Sequence, residues 1–242
     1  MTSDHSIIEC LDWADIARQL DSEGYAVLPG LLAADTAREL ALEVETRESI
    51  HHVPSAPVDP GGSELYYFGA SLPAPLDNWR MTFYRHLTVM ANRWNEILGV
   101  SDRYPQEFDE FVRRNQQAGQ TQGQSHLSRL GPQGYASLQQ RNDDEQVFPL
   151  QIVALLSEPG EDFQGGEFVM TEQRPRMQSR PMVLPLKLGD VAIISTAERP
   201  VKGANGYYRV NLKHAISRVR EGERIGLELT FHDARGWDMP FV

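Results

Sequence analysis

The chain has 242 residues, a formal net charge of -11 at pH 7, 40% hydrophobic residues and a single cysteine, Cys10. The negative charge opposes long-range attraction to phosphate backbones and anionic membranes, so neither nucleic acid nor a membrane is an expected partner. One cysteine excludes an internal disulfide and a cysteine-based metal cluster.

The N-terminal residues are polar and acidic, and no apolar stretch reaches membrane-spanning length. These features predict a cytoplasmic protein and leave the oligomeric state open. A chain of this length can bury one substantial core, so we expect a single domain over residues 1–242.

Apolar residues at helical spacing predict four helices in the first half of the chain. The predicted ranges are 12–22, 34–46, 79–98 and 106–116. The third has the longest apolar stripe, which favours core packing over a cofactor site. A short strand is expected at 25–30. Proline and glycine mark a loop at 51–63, and a Gln/Gly-rich linker follows at 116–124.

Beyond residue 125 the pattern changes to short strands separated by Gly and Pro. Eight strands are predicted, at 125–130, 135–141, 147–156, 167–171, 181–186, 190–195, 207–219 and 224–231. Eight short antiparallel strands in two sheets describe a jelly roll, a mainly β fold with added α. We expect residues 121–242 to form this core and residues 1–120 to form a helical support region.

Four segments of the β half carry a family pattern together with His214 and Arg224; they are residues 134–150, 155–160, 163–168 and 171–180. This pattern resembles the iron(II)/2-oxoglutarate-dependent oxygenases, in particular their prolyl-hydroxylase-like branch. The resemblance implies a double-stranded β-helix, with His214 at the position of the distal iron ligand. It also places Arg224 at the position of the arginine that pairs with the far carboxylate of 2-oxoglutarate.

The iron motif of that family is replaced in this chain. Relatives present His-x-Asp on the first strand after the turn, where this sequence has Gln139-Gln140-Arg141. A facial triad needs imidazole and carboxylate ligands, whereas a guanidinium has no lone pair and stays charged. The resemblance therefore implies a divergent member with no usual iron site and His214 as its only retained ligand.

Cosubstrate binding is also in question, because Leu130 stands where many relatives have a Tyr that helps hold 2-oxoglutarate. We therefore expect no cofactor. Iron(II) and 2-oxoglutarate enter only under an alternative in which His214 is joined by His126 and by Asp143 or Asp144.

Period-2 alternation gathers polar residues around the former metal position. It gives one face to His126 and Ser128 on one strand, and one face to Arg224 and Glu228 on the last strand. We expect these residues to share a pocket with the family-aligned positions, Gln139, Arg141 and His214.

A buried Arg141 requires an anionic partner, because an unpaired buried charge costs on the order of several kcal/mol. Glu228, Asp143 or Asp144, and a substrate carboxylate are all candidates, and the side chain could instead turn to solvent.

Three functions fit these residues. The first is a metal-independent lyase, isomerase or cyclase acting on a small carboxylate, with His214 or His126 as general base and Glu228 as partner. In that function Arg224, Arg141, Gln139 and Ser128 bind the substrate. The second is an oxygenase with substitute metal ligands. The third is a non-catalytic binding or regulatory protein.

Overall fold

The computed structural model describes residues 4–43, 51–54, 63–68, 71–140 and 145–235. Within these ranges the helices are α1 Asp4–Glu9, α2 Trp13–Glu23, α3 Ala34–Glu43, α4 Leu76–Ile97 and α5 Phe108–Gln117. The four predicted helices are confirmed as α2 to α5. Asp12 caps α2 by accepting a hydrogen bond from the Asp15 backbone N–H, and the helix ends at Gly24 in the left-handed conformation.

Helix α4 buries the apolar stripe that the sequence predicts. Its members Trp79, Phe83, Leu87, Met90 and Trp94 are each at most 7% exposed and belong to the core beneath the helices. The packing interpretation of this stripe is therefore confirmed. Among the helices of the described ranges, none is long and apolar enough to cross a membrane.

The described ranges contain short strands along most of the chain. Those of the first half are β1 Tyr25–Leu28, β2 His51–Pro54, β3 Ser63–Tyr67 and β4 Gln120–Gly123. The next are β5 His126–Leu130, β6 Ala136–Gln139, β7 Leu150–Leu155, β8 Phe163–Gly165, β9 Phe168–Gln173 and β10 Arg180–Leu184. The last are β11 Val191–Ser195, β12 Glu198–Gly203, β13 Gly206–Ile216, β14 Val219–Gly222, β15 Arg224–Leu229 and β16 Asp233–Arg235.

These strands form the two facing sheets of a jelly roll. The larger sheet has the order β1-β11-β7-β15-β5-β3-β2, and the smaller has β10-β9-β13-β12 with β6 paired to β13. Two ribbons, β14 with β8 and β16 with β4, lie outside them. All eight predicted strands of the second half are present, and β1 confirms the strand expected near residue 25.

Two predicted connections were wrong. The segment 51–63 contains β2 and the first residue of β3, which extend the edge of the larger sheet, where Pro54 is tolerated because an edge strand needs fewer hydrogen bonds. The linker 116–124 contains β4, which pairs with β16 more than a hundred residues later. Neither segment has the apolar alternation of a strand, so only the pairing partner makes each one extended.

Strand alternation divides the interior into two apolar layers. Ile152 and Ala154 of β7 pack in the layer beneath the helices, whereas Val153 and Leu155 pack in the layer between the sheets. β7 lies between β11 and β15 and has one apolar layer on each face, so all six of its residues are buried. The layer between the sheets is where the candidate site lies.

A buried ion pair joins α2 to the smaller sheet. Arg199 and Glu172 have fully buried side chains and share a short hydrogen bond. Arg199 also donates to the carbonyl oxygens of Asp21, at 2.5 Å, and Ser22, at 2.9 Å, in the last turn of α2. The cation therefore satisfies carbonyls that the end of a helix leaves without partners.

Removing this cation should destabilise the fold strongly. We expect Arg199→Met to lower the free energy of unfolding by about 3–5 kcal/mol, because Glu172 would remain buried without its main partner. Urea unfolding measures the change. The control is Arg174→Met, since Arg174 is a 36% exposed partner of Glu172 and should cost about 1 kcal/mol or less. Equal losses in the two variants would contradict the account.

Candidate functional site

The site is built on the pairing of β6 with β13, which sets Gln139 directly opposite His214. Their side chains meet, with 3.3 Å between Gln139 Nε2 and His214 Nε2. His214 is 2% exposed and stacks on Phe168, with ring centroids 5.8 Å apart and planes at 6°. The neighbouring Gln140 donates instead to the carbonyl oxygen of Leu212, at 2.9 Å.

Arg141, Asp143 and Asp144 lie outside the described residues, so their expected roles stay predictions. At the position that the resemblance aligns with the metal, the described residues include one amide, Gln139, and one imidazole, His214. Within the described ranges no group of three or more His, Cys, Asp or Glu residues is arranged to hold a metal ion. This set fits ferrous iron poorly, because facial triads supply two imidazoles and a carboxylate.

A second polar group lies across the interior, on the larger sheet. The pairing of β15 with β5 sets Glu228 opposite His126, and His126 Nε2 is 3.9 Å from Glu228 Oε1. Both residues are buried. Gln151 donates from Nε2 to Glu228 Oε2 at 3.4 Å. The sequence analysis missed Gln151, although a lone polar residue within the apolar run of β7 is a usable signal.

The hydrogen bonds of His126 fix where its proton lies. His126 Nδ1 is 2.9 Å from the carbonyl oxygen of Gln124, and a carbonyl oxygen can only accept, so Nδ1 carries the hydrogen. In the neutral ring, Nε2 then carries the lone pair, and it lies 3.9 Å from the Glu228 carboxylate. This is the arrangement of a base whose protonated form a neighbouring carboxylate stabilises.

Arg224 is the buried cation of the site. Its Nε donates to the carbonyl oxygen of Gly166 at 2.8 Å, and the residue is 3% exposed. Among the described residues it forms no ion pair and no further hydrogen bond. Burial lowers the pKa of Arg224 to about 10, against the opposing influence of Glu228, so the guanidinium keeps its charge at neutral pH.

Two glycines leave room for the Arg224 side chain. A Cβ at Gly226 would lie 2.7 Å from Arg224 Nη1, and a Cβ at Gly166 would lie 2.9 Å from Arg224 Cδ. Gly166 also has a φ of +65°, which disfavours other residues. Each glycine is therefore needed for the observed position of the guanidinium.

The space between the sheets is small. Ser128, Arg224, Glu228 and Phe168 contribute to a cavity of about 10 Å³, which is enough for roughly one water molecule. Phe168 joins the two halves of the site, because its ring also stacks on His214. The structure thus brings six of the seven predicted site residues into one interior, and the seventh, Arg141, is not described.

Comparison with known proteins finds a matching family model and a related protein. A family model named Oxygenase-NA, described as "Oxygenase, catalysing oxidative methylation of damaged DNA", matches residues 63–234. The uncharacterized protein Rv2227 of Mycobacterium tuberculosis (strain H37Rv) is 35% identical over 167 residues, covering 69% of this chain and 72% of that protein.

Two solved structures have a similar fold. One is a prolyl hydroxylase of Trichoplax adhaerens in complex with a hypoxia inducible factor peptide, with a TM-score of 0.53, 10% identity and coverage of 95% of this chain and 90% of that chain. The other is an oxidoreductase of the 2OG-Fe(II) oxygenase family from Burkholderia pseudomallei, with a TM-score of 0.51, 18% identity and coverage of 93% of each chain.

The His126 assignment can be tested by NMR. In the neutral ring we expect the hydrogen on Nδ1, because Gln124 supplies only a carbonyl acceptor there. Long-range ¹H–¹⁵N correlation spectra distinguish the two nitrogens. His86 is the internal control, since its Nε2 lies 2.8 Å from the Glu9 carboxylate and should carry the hydrogen instead. A spectrum with the His126 hydrogen on Nε2 would overturn the assignment.

Proposed function

We propose a function from the premise that the chain belongs to the Oxygenase-NA family and has its oxygenase fold. In this proposal the protein is a metal-independent enzyme of the lyase, isomerase or cyclase type. It acts on a small carboxylate that is bound at the former oxygenase site, and it uses neither iron nor 2-oxoglutarate.

The observation that carries the proposal is the contact between Gln139 and His214. The pairing of β6 with β13 puts an amide at 3.3 Å from the retained imidazole, at the place where relatives present a histidine ligand. An amide is a neutral, weak ligand, and the guanidinium of Arg141, two residues on, cannot bind a cation at all. Both changes disfavour ferrous iron and leave a polar interior.

The remaining polar residues supply acid–base chemistry. Arg224 holds the substrate carboxylate through its Nη atoms, because its Nε is already bonded to Gly166. His126 Nε2 removes a proton from the substrate, and Glu228 stabilises the resulting imidazolium. Ser128, which lines the cavity beside Arg224, is placed to donate a hydrogen bond to the bound molecule.

The family description favours a second candidate, an oxygenase that acts on damaged DNA with substitute metal ligands. His214 would then be joined by His126 and by Asp143 or Asp144. The net charge of -11 opposes this candidate, because DNA affinity depends on neutralising phosphates. The cavity of about 10 Å³ beside Arg224 favours a third candidate, a non-catalytic binding or regulatory protein, because a molecule larger than water would enter it only if the cavity walls moved.

The loss of iron binding can be tested by restoring the ligands. We expect the wild-type protein to bind no ferrous iron, and Gln139→His with Arg141→Asp to gain it, because the pair restores an imidazole opposite His214 and the carboxylate that the family has two residues later. Anaerobic equilibrium dialysis with metal analysis measures the stoichiometry. Each single variant is a control and should bind weakly. About one iron per wild-type chain would contradict the proposal.

The acid–base role of His126 can be tested without knowing the substrate. Incubating 2-oxo and 3-oxo carboxylates with the protein in D₂O and EDTA should exchange their acidic carbon-bound protons, which ¹H NMR follows. We expect His126→Gln to slow the exchange by about 10²–10⁴-fold.

The matched control is His86→Gln, since His86 lies on α4 and contacts Glu9 rather than the site. No exchange by the wild-type protein would favour the non-catalytic candidate. Unchanged exchange in His126→Gln would show that another residue is the general base.

A further inference from the structure

A larger cavity opens on the other side of Arg224, at the end of the barrel. It measures about 400 Å³, at the lower end of the range for small-molecule sites. Arg224, Phe168 and Leu186 line both this cavity and the small one between the sheets. The buried guanidinium therefore lies at the junction of the two, and of these two cavities only the larger has the volume for an organic molecule.

The walls of this larger cavity are mainly apolar. Side chains from β7, β8, β9 and β10 and from the segment after β10 contribute, among them Leu155, Phe163, Phe168, Val183, Leu184 and Leu186. Apart from Arg224, the lining includes the polar side chains Gln164 and Glu167, which are both exposed. The Glu167 carboxylate already accepts a hydrogen bond from Ser217 and lies 3.8 Å from Arg220.

Arg224 has unused hydrogen-bonding capacity in this position. Its Nε is bonded to Gly166, while Nη1 and Nη2 donate to no residue in the described part of the chain. A buried guanidinium without a carboxylate partner is costly, so a bound anion would compensate for that cost. The site thus combines a fixed positive charge at its inner end with apolar walls that lead outward.

We propose that this cavity binds monocarboxylates with an apolar body, such as alkyl or arylalkyl carboxylates, with the carboxylate on Arg224 and the body against Phe163, Phe168 and Leu184. The proposal rests on the carboxylate site proposed above and names its ligand class. In it, the carboxylate and its adjacent carbon lie at the junction of the two cavities, which Glu228 lines from the inner side, and only the apolar body extends outward. A dicarboxylate such as 2-oxoglutarate fits poorly here, because its second charge would lose hydration against apolar walls.

Direct binding measurements test this assignment. Isothermal titration calorimetry of the metal-free protein should detect binding of sodium octanoate, with much weaker binding of glutarate, which has two charges, and of octylammonium, which has the opposite charge. Arg224→Met should weaken octanoate binding roughly ten- to a hundredfold, since it removes charge-assisted hydrogen bonds. Arg209→Met, on an exposed surface of β13, is the control.

Arg224→Met also separates a ligand-binding role from a structural one. Without ligand, the variant should melt at the same or a higher temperature than the wild type, because an unpaired buried charge has been removed. Octanoate should then raise the melting temperature of the wild type only. A destabilised variant together with unchanged octanoate affinity would overturn the role of Arg224.

Two further variants test the geometry independently. Gly226→Ala keeps the charge of Arg224 but displaces Nη1, and it should weaken octanoate binding. Val183→Glu adds a negative charge at the rim of the cavity and should also weaken octanoate binding, because it repels the carboxylate. Val183 is 56% exposed, so the substitution should leave the fold intact. Val89→Glu, at a 71% exposed position on α4, is the matched control.

The outcomes separate this inference from the function on which it rests. Metal-free binding of glutarate or 2-oxoglutarate but not octanoate would refute the ligand class and leave the carboxylate site standing. Octanoate binding without any proton exchange would support the ligand class and refute the enzyme. Binding of 2-oxoglutarate only together with iron would refute both.

Discussion

The alternation of side chains along the central strands is the constraint on which this structure depends. β7 is covered on both faces, so each of its residues must join one of two apolar layers. The same alternation along β15 sends Leu227 and Leu229 toward the helices and Arg224 and Glu228 between the sheets. A polar site inside the barrel follows from this parity, because a one-residue shift would bury every polar group among the helices.

Two buried arginines show how differently a protein can accommodate a cation. Arg199 has a buried carboxylate, Glu172, and two helix carbonyls, so both of its Nη atoms are bonded and only Nε lacks a partner among the described residues. Its role is to join α2 to the smaller sheet. Arg224 donates to one carbonyl oxygen, and its two Nη atoms, at the junction of two cavities, have no hydrogen-bond partner in the described part of the chain. The first is a structural ion pair, whereas the second has the incomplete environment that a ligand can fill.

The chain can keep the fold of its oxygenase family although the side chains aligned with the family's metal ligands differ. Gln139 is the last residue of β6, a strand that pairs only with β13 among the described strands and has the exposed Leu138 beside it. Changes on such an edge strand leave both apolar layers intact. The scaffold can therefore keep its fold while the side chains at the position aligned with the family's metal change.

The sequence alone determined the parts of the protein that depend on local pattern. Helical spacing was sufficient for the α4 stripe, and short runs separated by Gly and Pro were sufficient for the eight core strands. The family pattern was sufficient to align Gln139 with the position of an iron ligand. The identity of Arg141 also came from sequence, and no coordinates are needed to exclude a guanidinium as a metal ligand.

Tertiary structure decided what depends on a distant partner. β4 exists because β16 pairs with it, and Gln151 belongs to the site because Glu228 lies across from it on a neighbouring strand. The direction of the Arg224 side chain depends on the absence of a Cβ at Gly166 and Gly226, which approach it from different strands and turns. The sequence names each of these residues, but only packing brings their atoms within contact distance, because hydrogen bonds and steric exclusion act over a few ångströms rather than along the chain.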